Sequence, residues 1–400
     1  MDMSKGPLHL SYSAISAFKS CPVRFKNAYV LGIRPAEKTE SLRVGTNWHR
    51  ILDIISRAVG GVCEKCAKLS KPDPECALCA GEGFYPKDPM ESVARELNRI
   101  YEKVNFDPSL ARLERTKLIY ALAGYRWYYG DVEEKVLCRE EFFELPLINP
   151  ETGRALPGVK LVGCIDKIVN HEGRPAIKEH KSTSSSLSSD STYWSHLTLD
   201  TQTTLYLYAA QQLQKAGELA GWGIKAKDPL INTILYDTFH KPTIVPKKLS
   251  QADSKKFVET GEYMGQKFEV PLLTDEAEDT IIVNDEVAVI EPGAKEGTFA
   301  IRETCDMYGA RLLMDITERP EFYFCCKPLN KTTDQIKAFE YELYNIYRTI
   351  QNMIKTKHWY GNEHQCEATF KCSYLESCYN GIELTVDNVP SGMKLIFEEG

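Results

Sequence analysis

Two carboxylates and a lysine stand at strand spacing near the middle of the chain. Asp166 ends the apolar run Gly163-Cys-Ile-Asp, and Glu179 and Lys181 follow thirteen and fifteen residues later in Ile177-Lys-Glu-His-Lys. Residues i and i+2 of a strand share a face, so Glu179 and Lys181 project together, beside Asp166 from a neighbouring strand. Two carboxylates on adjacent strands suit a hard divalent cation, Mg²⁺ or Mn²⁺. Such an ion polarises a phosphodiester and lowers the pKa of a bound water. A lysine beside it orients that water or stabilises the charge of the transition state. Taken alone, Glu-x-Lys is also what a solvated surface strand carries.

The cysteines form the second source of chemistry. The chain has 13 of them, and in a cytosolic protein they point to metal more than to structural disulfides. Cys63, Cys66, Cys76 and Cys79 are spaced C-x2-C-x9-C-x2-C, the pattern of a tetrahedral Zn²⁺ held by four thiolates. They lie in a Cys/Gly/Pro-rich insert, residues 60–86, too short for an apolar core of its own, so a metal is expected to supply its folding energy. Lys65, Lys68 and Lys71 in this insert permit phosphate contact, or are ordinary solubilising charge. Near the end, Cys366, Cys372 and Cys378 are spaced C-x5-C-x5-C. Cys138, Cys164, Cys305, Cys325 and Cys326 have no comparable spacing, and the Cys325-Cys326 pair reads as core.

The elements that must position these groups follow from periodicity. Helical patterns run over Ser11–Phe25, with Ser13 a candidate cap, over Ser41–Val59, and over Glu91–Tyr129. From Lys135 the period changes to strands: Glu141–Leu147, Leu161–Val169 and Pro175–Lys181. A Ser-rich loop leads to a helix at Thr201–Ala216. Leu230–Tyr236 and Phe322–Cys326 read as strands and Thr333–Lys357 as a long helix. Residues 246–304 show no clear period. The expected fold class is α/β, a mixed sheet flanked by helices with a small zinc-knuckle insert.

The Asp166…Glu179-x-Lys181 pattern resembles the PD-(D/E)XK nuclease superfamily, in which a hairpin carries Asp and (Asp/Glu)-x-Lys and the core is a restriction-endonuclease-like mixed sheet. Gln202-Thr-Thr-Leu-Tyr206 resembles the Gln-x-x-x-Tyr signature of its RecB-like branch, and the helical i, i+4 spacing lets Gln202 and Tyr206 face one site. Gly45-Thr-Asn-Trp-His49 resembles that branch's upstream Gly-x-x-x-His, which makes His49 a further metal ligand. A helix-face histidine bonded to a backbone carbonyl is the plainer alternative. The opening, Leu10 to Phe25, also looks like the start of such nucleases. The resemblance runs from about residue 10 to about residue 380 and weakens in 60–86 and 246–304.

In the AddB-like and CRISPR-adaptation nucleases one N-terminal cysteine joins three near the C-terminus around a [4Fe–4S] cluster, so the resemblance implies Cys21, Cys366, Cys372 and Cys378 as its ligands. Only Cys372-x5-Cys378 matches the usual C-x2-C-x5-C spacing. Zinc, with His364 replacing one thiol, and plain burial of small apolar residues therefore stay open. The local Cys79-Ala-Gly-Glu-Gly-Phe resembles the knuckles of DnaJ-type zinc modules. The organisation so implied is 1–59 as the N-terminal helical part of the nuclease domain, 60–86 as the insert, 87–380 as the core with the iron–sulfur region, and 381–400 as a tail.

Composition sets the bounds. The chain has 400 residues, 43% apolar and 26% charged, with a formal charge of −7. That is ordinary for a soluble protein and leaves local basic patches free to bind nucleic acid. No run of apolar residues suits a signal peptide or a membrane span, so a cytoplasmic location is expected, that of the host if the protein is phage-encoded. No Walker A pattern appears, so strand separation would fall to a partner helicase or recombination protein. Together these features imply an exonuclease on DNA ends or single strands, in recombination, repair or phage DNA metabolism. The alternative is a non-catalytic DNA-binding or assembly member of the same fold.

Overall fold

The computed structural model describes residues 7–396 apart from 38, 58, 103–106, 131–133, 271, 276–277, 296–297 and 369–370. The first residues of the chain and the last four of the tail thus lie outside it. The architecture is a mixed sheet between two helical layers, the expected class.

The N-terminal strand β1 (Leu8–Leu10) leads into helix α1 (Tyr12–Ser20), whose cap is Ser11: its side chain accepts from the Ala14 N–H. The expected cap, Ser13, lies one turn-position inside the helix and bonds Ser11 instead. Helix α2 (Glu40–Ile55) is capped by Thr39 and buries Val44, Trp48, Ile51 and Leu52 along one stripe. The helical run after the insert divides into α3 (Pro89–Glu102) and α4 (Pro108–Tyr129), the latter started by Asp107 and Pro108.

Strands β2 (Val136–Ile148), β3 (Ala155–His171) and β4 (Arg174–Thr183) form an antiparallel run. Helix α5 (Thr201–Ala216), capped by Asp200 and closed by Gly217 at φ 79, then returns the chain to β5 (Thr233–His240). That strand pairs parallel with β4. Helix α6 (Cys305–Glu318) precedes strand β6 (Phe324–Asn330), antiparallel to β5, and α7 (Thr333–Thr356) follows, opened by a capping box of Thr332 and Gln335.

One core joins α1, α5 and α7 to the sheet through residues such as Phe18, Leu161, Ile177, Leu205 and Leu343. A second gathers α2, α3, α4 and α6 around Trp48, whose ring stacks on Phe239 at 4.0 Å. Residues 246–304, unreadable from periodicity, hold a helix at Gln251–Thr260 and short strands around a small third core with Phe257 and Ile301. Among the described residues no helix is long and apolar enough to cross a membrane.

Candidate active site

The site lies where strand pairing forks. One edge of β3 pairs with β1 over Val159–Leu161 and with β4 over Lys167–His171, leaving the intervening residues without a strand neighbour on that edge among the described residues. Asp166 ends this gap. The β3–β4 register, extended by one step, sets Asp166 opposite Glu179, where β4 has left β3 and pairs only with β5. Gly163, inside the gap, lets two rings close in: a Cβ there would stand 2.5 Å from Cζ of Phe143 and 3.3 Å from Tyr206.

Glu179, 1% exposed, is clamped from one side. Its Oε1 accepts from Lys181 Nζ at 2.7 Å and from Gln202 Nε2 at 2.7 Å, while Gln202 Oε1 accepts from Lys181 at 2.8 Å. Its Oε2 is buried and, among the described residues, meets no hydrogen-bond donor. Across the fork, Asp166 Oδ2 accepts the backbone N–H of His180 at 3.0 Å and stands 3.1 Å from Nδ1 of His49 on α2. His49 therefore meets a carboxylate, not the backbone carbonyl of the plainer alternative. Tyr206 lies one turn below Gln202, edge-on to Phe143 at 6.0 Å. The structure thus brings Asp166, Glu179, Lys181, Gln202 and His49 to one place, with Tyr206 bracing it.

The two carboxylates sit in opposite electrostatic states. Burial raises Asp166, but the bond and charge of His49, with His180 and Lys181, outweigh it and hold the pKa at about 2. Burial dominates at Glu179, and with the Asp166 charge it outweighs Lys181 and pushes the pKa up to about 7. A buried carboxylate raised toward neutrality, with one oxygen free to accept beside an ionised partner, fits a bound cation. Oxygen donors of this kind fit Mg²⁺ or Mn²⁺.

Sequence reading missed several neighbours. His180, between Glu179 and Lys181, points to the other face of the sheet, where its Nδ1 stands 3.1 Å from the buried Asp237. Asp237 also takes a hydrogen bond from Tyr125 and faces Lys178 at 3.4 Å. Glu140 falls opposite Asp166 in the β2–β3 register and has a left-handed backbone, φ 43. Buried residues change parity along β2 on passing it, from Cys138 to Phe143. Arg50 and Asp53 share the cleft-facing side of α2 with His49, a spacing the sequence displays but that reads as a plain polar helix face.

The four-cysteine insert closes as expected. Cys63, Cys66, Cys76 and Cys79 are buried, and their sulfurs all lie within 4.8 Å of one another. Cys63 and Cys76 are 3.8 Å apart, and Cys66 and Cys79 are 3.6 Å apart. Thiolates about 2.3 Å from a tetrahedral zinc would be separated by about 3.8 Å, so the set fits that ion. Gly81, at φ 83 and with a Cβ position 3.1 Å from Pro74 Cα, lets the second knuckle turn. The insert is not a free excursion: its cysteines, Leu78 and Tyr85 join Trp48 and Leu97 in the second core.

Cys21, Cys366, Cys372 and Cys378 line one cavity of ≈ 310 Å³ at the joined ends of the chain. Asn362 ties this region to Ser20 O at 2.9 Å, Tyr374 ties it to Ile33 O at 2.6 Å, and strand Met393–Leu395 pairs with Ile33–Pro35. Burial, then the neighbouring Cys372 and Cys21 sulfurs, push the Cys366 and Cys378 thiols up. Among the described residues, the insert supplies the one group of three or more metal-ligand atoms within 4.8 Å of one another. The terminal set is therefore wider than a single zinc requires. His364 is exposed beside Glu363 and does not line the cavity.

Residues 9–379 match the sequence profile of the PD-(D/E)XK nuclease superfamily. No curated protein matches the chain. The family match covers nearly the whole sequence, and the chain belongs to this superfamily.

Proposed function

We propose that this member of the PD-(D/E)XK nuclease superfamily is a metal-dependent deoxyribonuclease of the RecB-like branch, degrading DNA from ends or single strands. Its work would lie in recombination, repair or phage DNA metabolism, beside a helicase or recombination partner that opens the duplex. The observation that carries this reading is Glu179, fixed through Oε1 by Lys181 and Gln202 and left with a buried, donorless Oε2 beside Asp166.

Asp166, Glu179 and His49 would hold Mg²⁺ or Mn²⁺, and the ion would supply Lewis acidity to the phosphodiester and an acidified water. Lys181 holds a positive charge at the edge of this group, where it steadies Glu179 and lies ready for charge developing on phosphate oxygens. Gln202 bonds both Lys181 and Glu179, and Tyr206 keeps the Gln202 turn of α5 against β3. The organisation 1–59, 60–86, 87–380 and 381–400 is kept, with Zn²⁺ in the insert. A [4Fe–4S] cluster on Cys21, Cys366, Cys372 and Cys378 is supported by the wide, shared cavity of the four thiols.

The test is cleavage by anaerobically purified protein of end-labelled single- and double-stranded DNA and of circular single strands. Linear DNA should be degraded with Mg²⁺ or Mn²⁺ and spared with EDTA, and circles should resist. Binding to DNA without cleavage in either ion would replace the enzyme by the non-catalytic alternative.

The pKa values give a second expected result. The ion-free fold raises Glu179 from 4.5 to about 7. Its contribution to stability is therefore fully present below 4.5 and lost as pH rises through about 7. Mg²⁺ binds the ionised form and opposes that loss. Below pH 7 its affinity should fall by up to about tenfold per unit. The rise in Tm caused by Mg²⁺ should then be larger at pH 8 than at pH 6, and Glu179→Gln should flatten the difference. An equal Mg²⁺ effect at both pH values in the unmutated protein would exclude Glu179 as the ligand.

A further inference from the structure

Two of the proposed metal ligands, Asp166 and His49, line a cavity of ≈ 300 Å³ whose walls come from three parts of the chain. Asp166 and His180 lie on the sheet side and His49 and Arg50 on α2. The third wall is the four-cysteine insert, through Lys65 and Leu78. We propose that the insert is a substrate-binding wall of the nuclease cleft, and that Lys65 holds a phosphate of the DNA strand lying in it.

The insert is fixed in that position on two sides. Arg57, on the turn after α2, donates to Glu64 at 2.6 Å and to the Tyr85 hydroxyl at 2.7 Å. From α3, Ser92 donates to Leu78 O at 2.6 Å and Arg95 to Ala77 O at 3.0 Å. Lys65 sits inside the first knuckle, between Glu64 and Cys66, so closure of the four-thiolate site fixes the backbone from which it reaches into the cavity.

Lys65 stands exposed on this wall. Among the described residues no carboxylate comes within ion-pair distance of it. The nearby buried Glu96 already carries Arg50 and Arg99. Asp53 and Glu140 line the cavity too, but Arg57 pairs with Asp53 and Arg50 with Glu96, so Lys65 is the exposed cation of this wall outside these pairs. A polyanionic strand that places one phosphate at the metal needs its neighbouring phosphates neutralised, and a lysine acts there as a point charge. Lys68 and Lys71 belong to the same insert but do not line the cavity.

This inference rests on the nuclease reading, and one experiment separates the two. Binding of a fluorescent single-stranded oligonucleotide is measured in Ca²⁺ across a salt series for the full chain and for Lys65→Ala, Lys65→Arg, Lys68→Ala and Lys71→Ala. Lys65→Ala should weaken binding roughly five- to tenfold for any sequence and lower the salt slope by about one phosphate contact. Lys65→Arg should restore both, and the other two variants should stay within about twofold. In Mg²⁺, Lys65→Ala should raise KM with little change in kcat. Equal effects at Lys65, Lys68 and Lys71, or none at Lys65, would overturn the assignment while leaving the nuclease intact. Failure of the unmutated protein to bind DNA at all would instead remove the nuclease reading.

Discussion

Asp166→Ala, Glu179→Ala and Lys181→Ala should each lower metal-dependent DNA cleavage by about a thousandfold or more, roughly 4 kcal/mol of lost transition-state stabilisation. The three act as a unit. Without Asp166, the ionised half of the cation site is gone and His49 loses its carboxylate. Without Glu179, Lys181 and Gln202 lose the shared acceptor that orients them. Removing Lys181 leaves Glu179 with only Gln202 on Oε1 and, by burial and the Asp166 charge, still harder to ionise. Double variants should therefore lose little more than single ones. Circular dichroism and thermal unfolding should show the fold retained, since none of the three fills the apolar core. Cleavage within about tenfold of the original in any of the three would remove that residue from the site.

How far this site was readable follows from the reach of each regularity. Strand period alone puts Glu179 and Lys181 on one face, and a hairpin puts Asp166 beside them. Both depend on neighbours close in the chain. His49 lies far upstream on a helix, and no periodicity relates a helix face to a strand end; only the Gly45–His49 resemblance pointed there. Glu140 escaped because its part depends on a left-handed backbone in mid-strand, where a non-glycine residue is uncommon. The reversal of buried parity from Cys138 to Phe143 is its trace in the sequence. Arg50 and Asp53 look like any solvated helix face until the cleft is seen.

The fold divides in the same way. Helix α5 and the strands from β2 to β5 were legible because each carries a continuous buried pattern, on one face or, in β5, on both. Residues 246–304 were not, because their strands run to six residues or fewer and pack on a small core of their own. The insert was legible as a metal knuckle, since its spacing fixes the chemistry. Its place in the second core was not, because Leu78 and Tyr85 meet Trp48 and Leu97 only through tertiary packing.

Cys21→Ser should have the largest effect on stability. Cys21 and Cys366 stand 345 positions apart (366 minus 21), yet both line the terminal cavity with Cys372 and Cys378. A metal group bound there closes almost the whole chain into one loop, and its loss should lower stability by on the order of 3–5 kcal/mol. Around it the ends also meet through Asn362 to Ser20, Tyr374 to Ile33 and a small apolar cluster with Ala28, Ile33 and Leu384, so the junction should loosen before the sheet does. Anaerobic protein should be brown and contain about four iron atoms per chain, the content of one [4Fe–4S] cluster. Cys21→Ser should bleach it, lower Tm and reduce cleavage indirectly, since this cavity is lined by none of the groups at Asp166. Cys63→Ser with Cys66→Ser should lose zinc and keep iron, which assigns each metal to its own site. A colourless anaerobic protein with two zinc ions per chain would overturn the cluster and keep the staple. Absence of any metal bound through Cys21 would overturn both, and the ends of the chain would then be held by strand Met393–Leu395 and the apolar cluster of Ala28, Ile33, Tyr374 and Leu384.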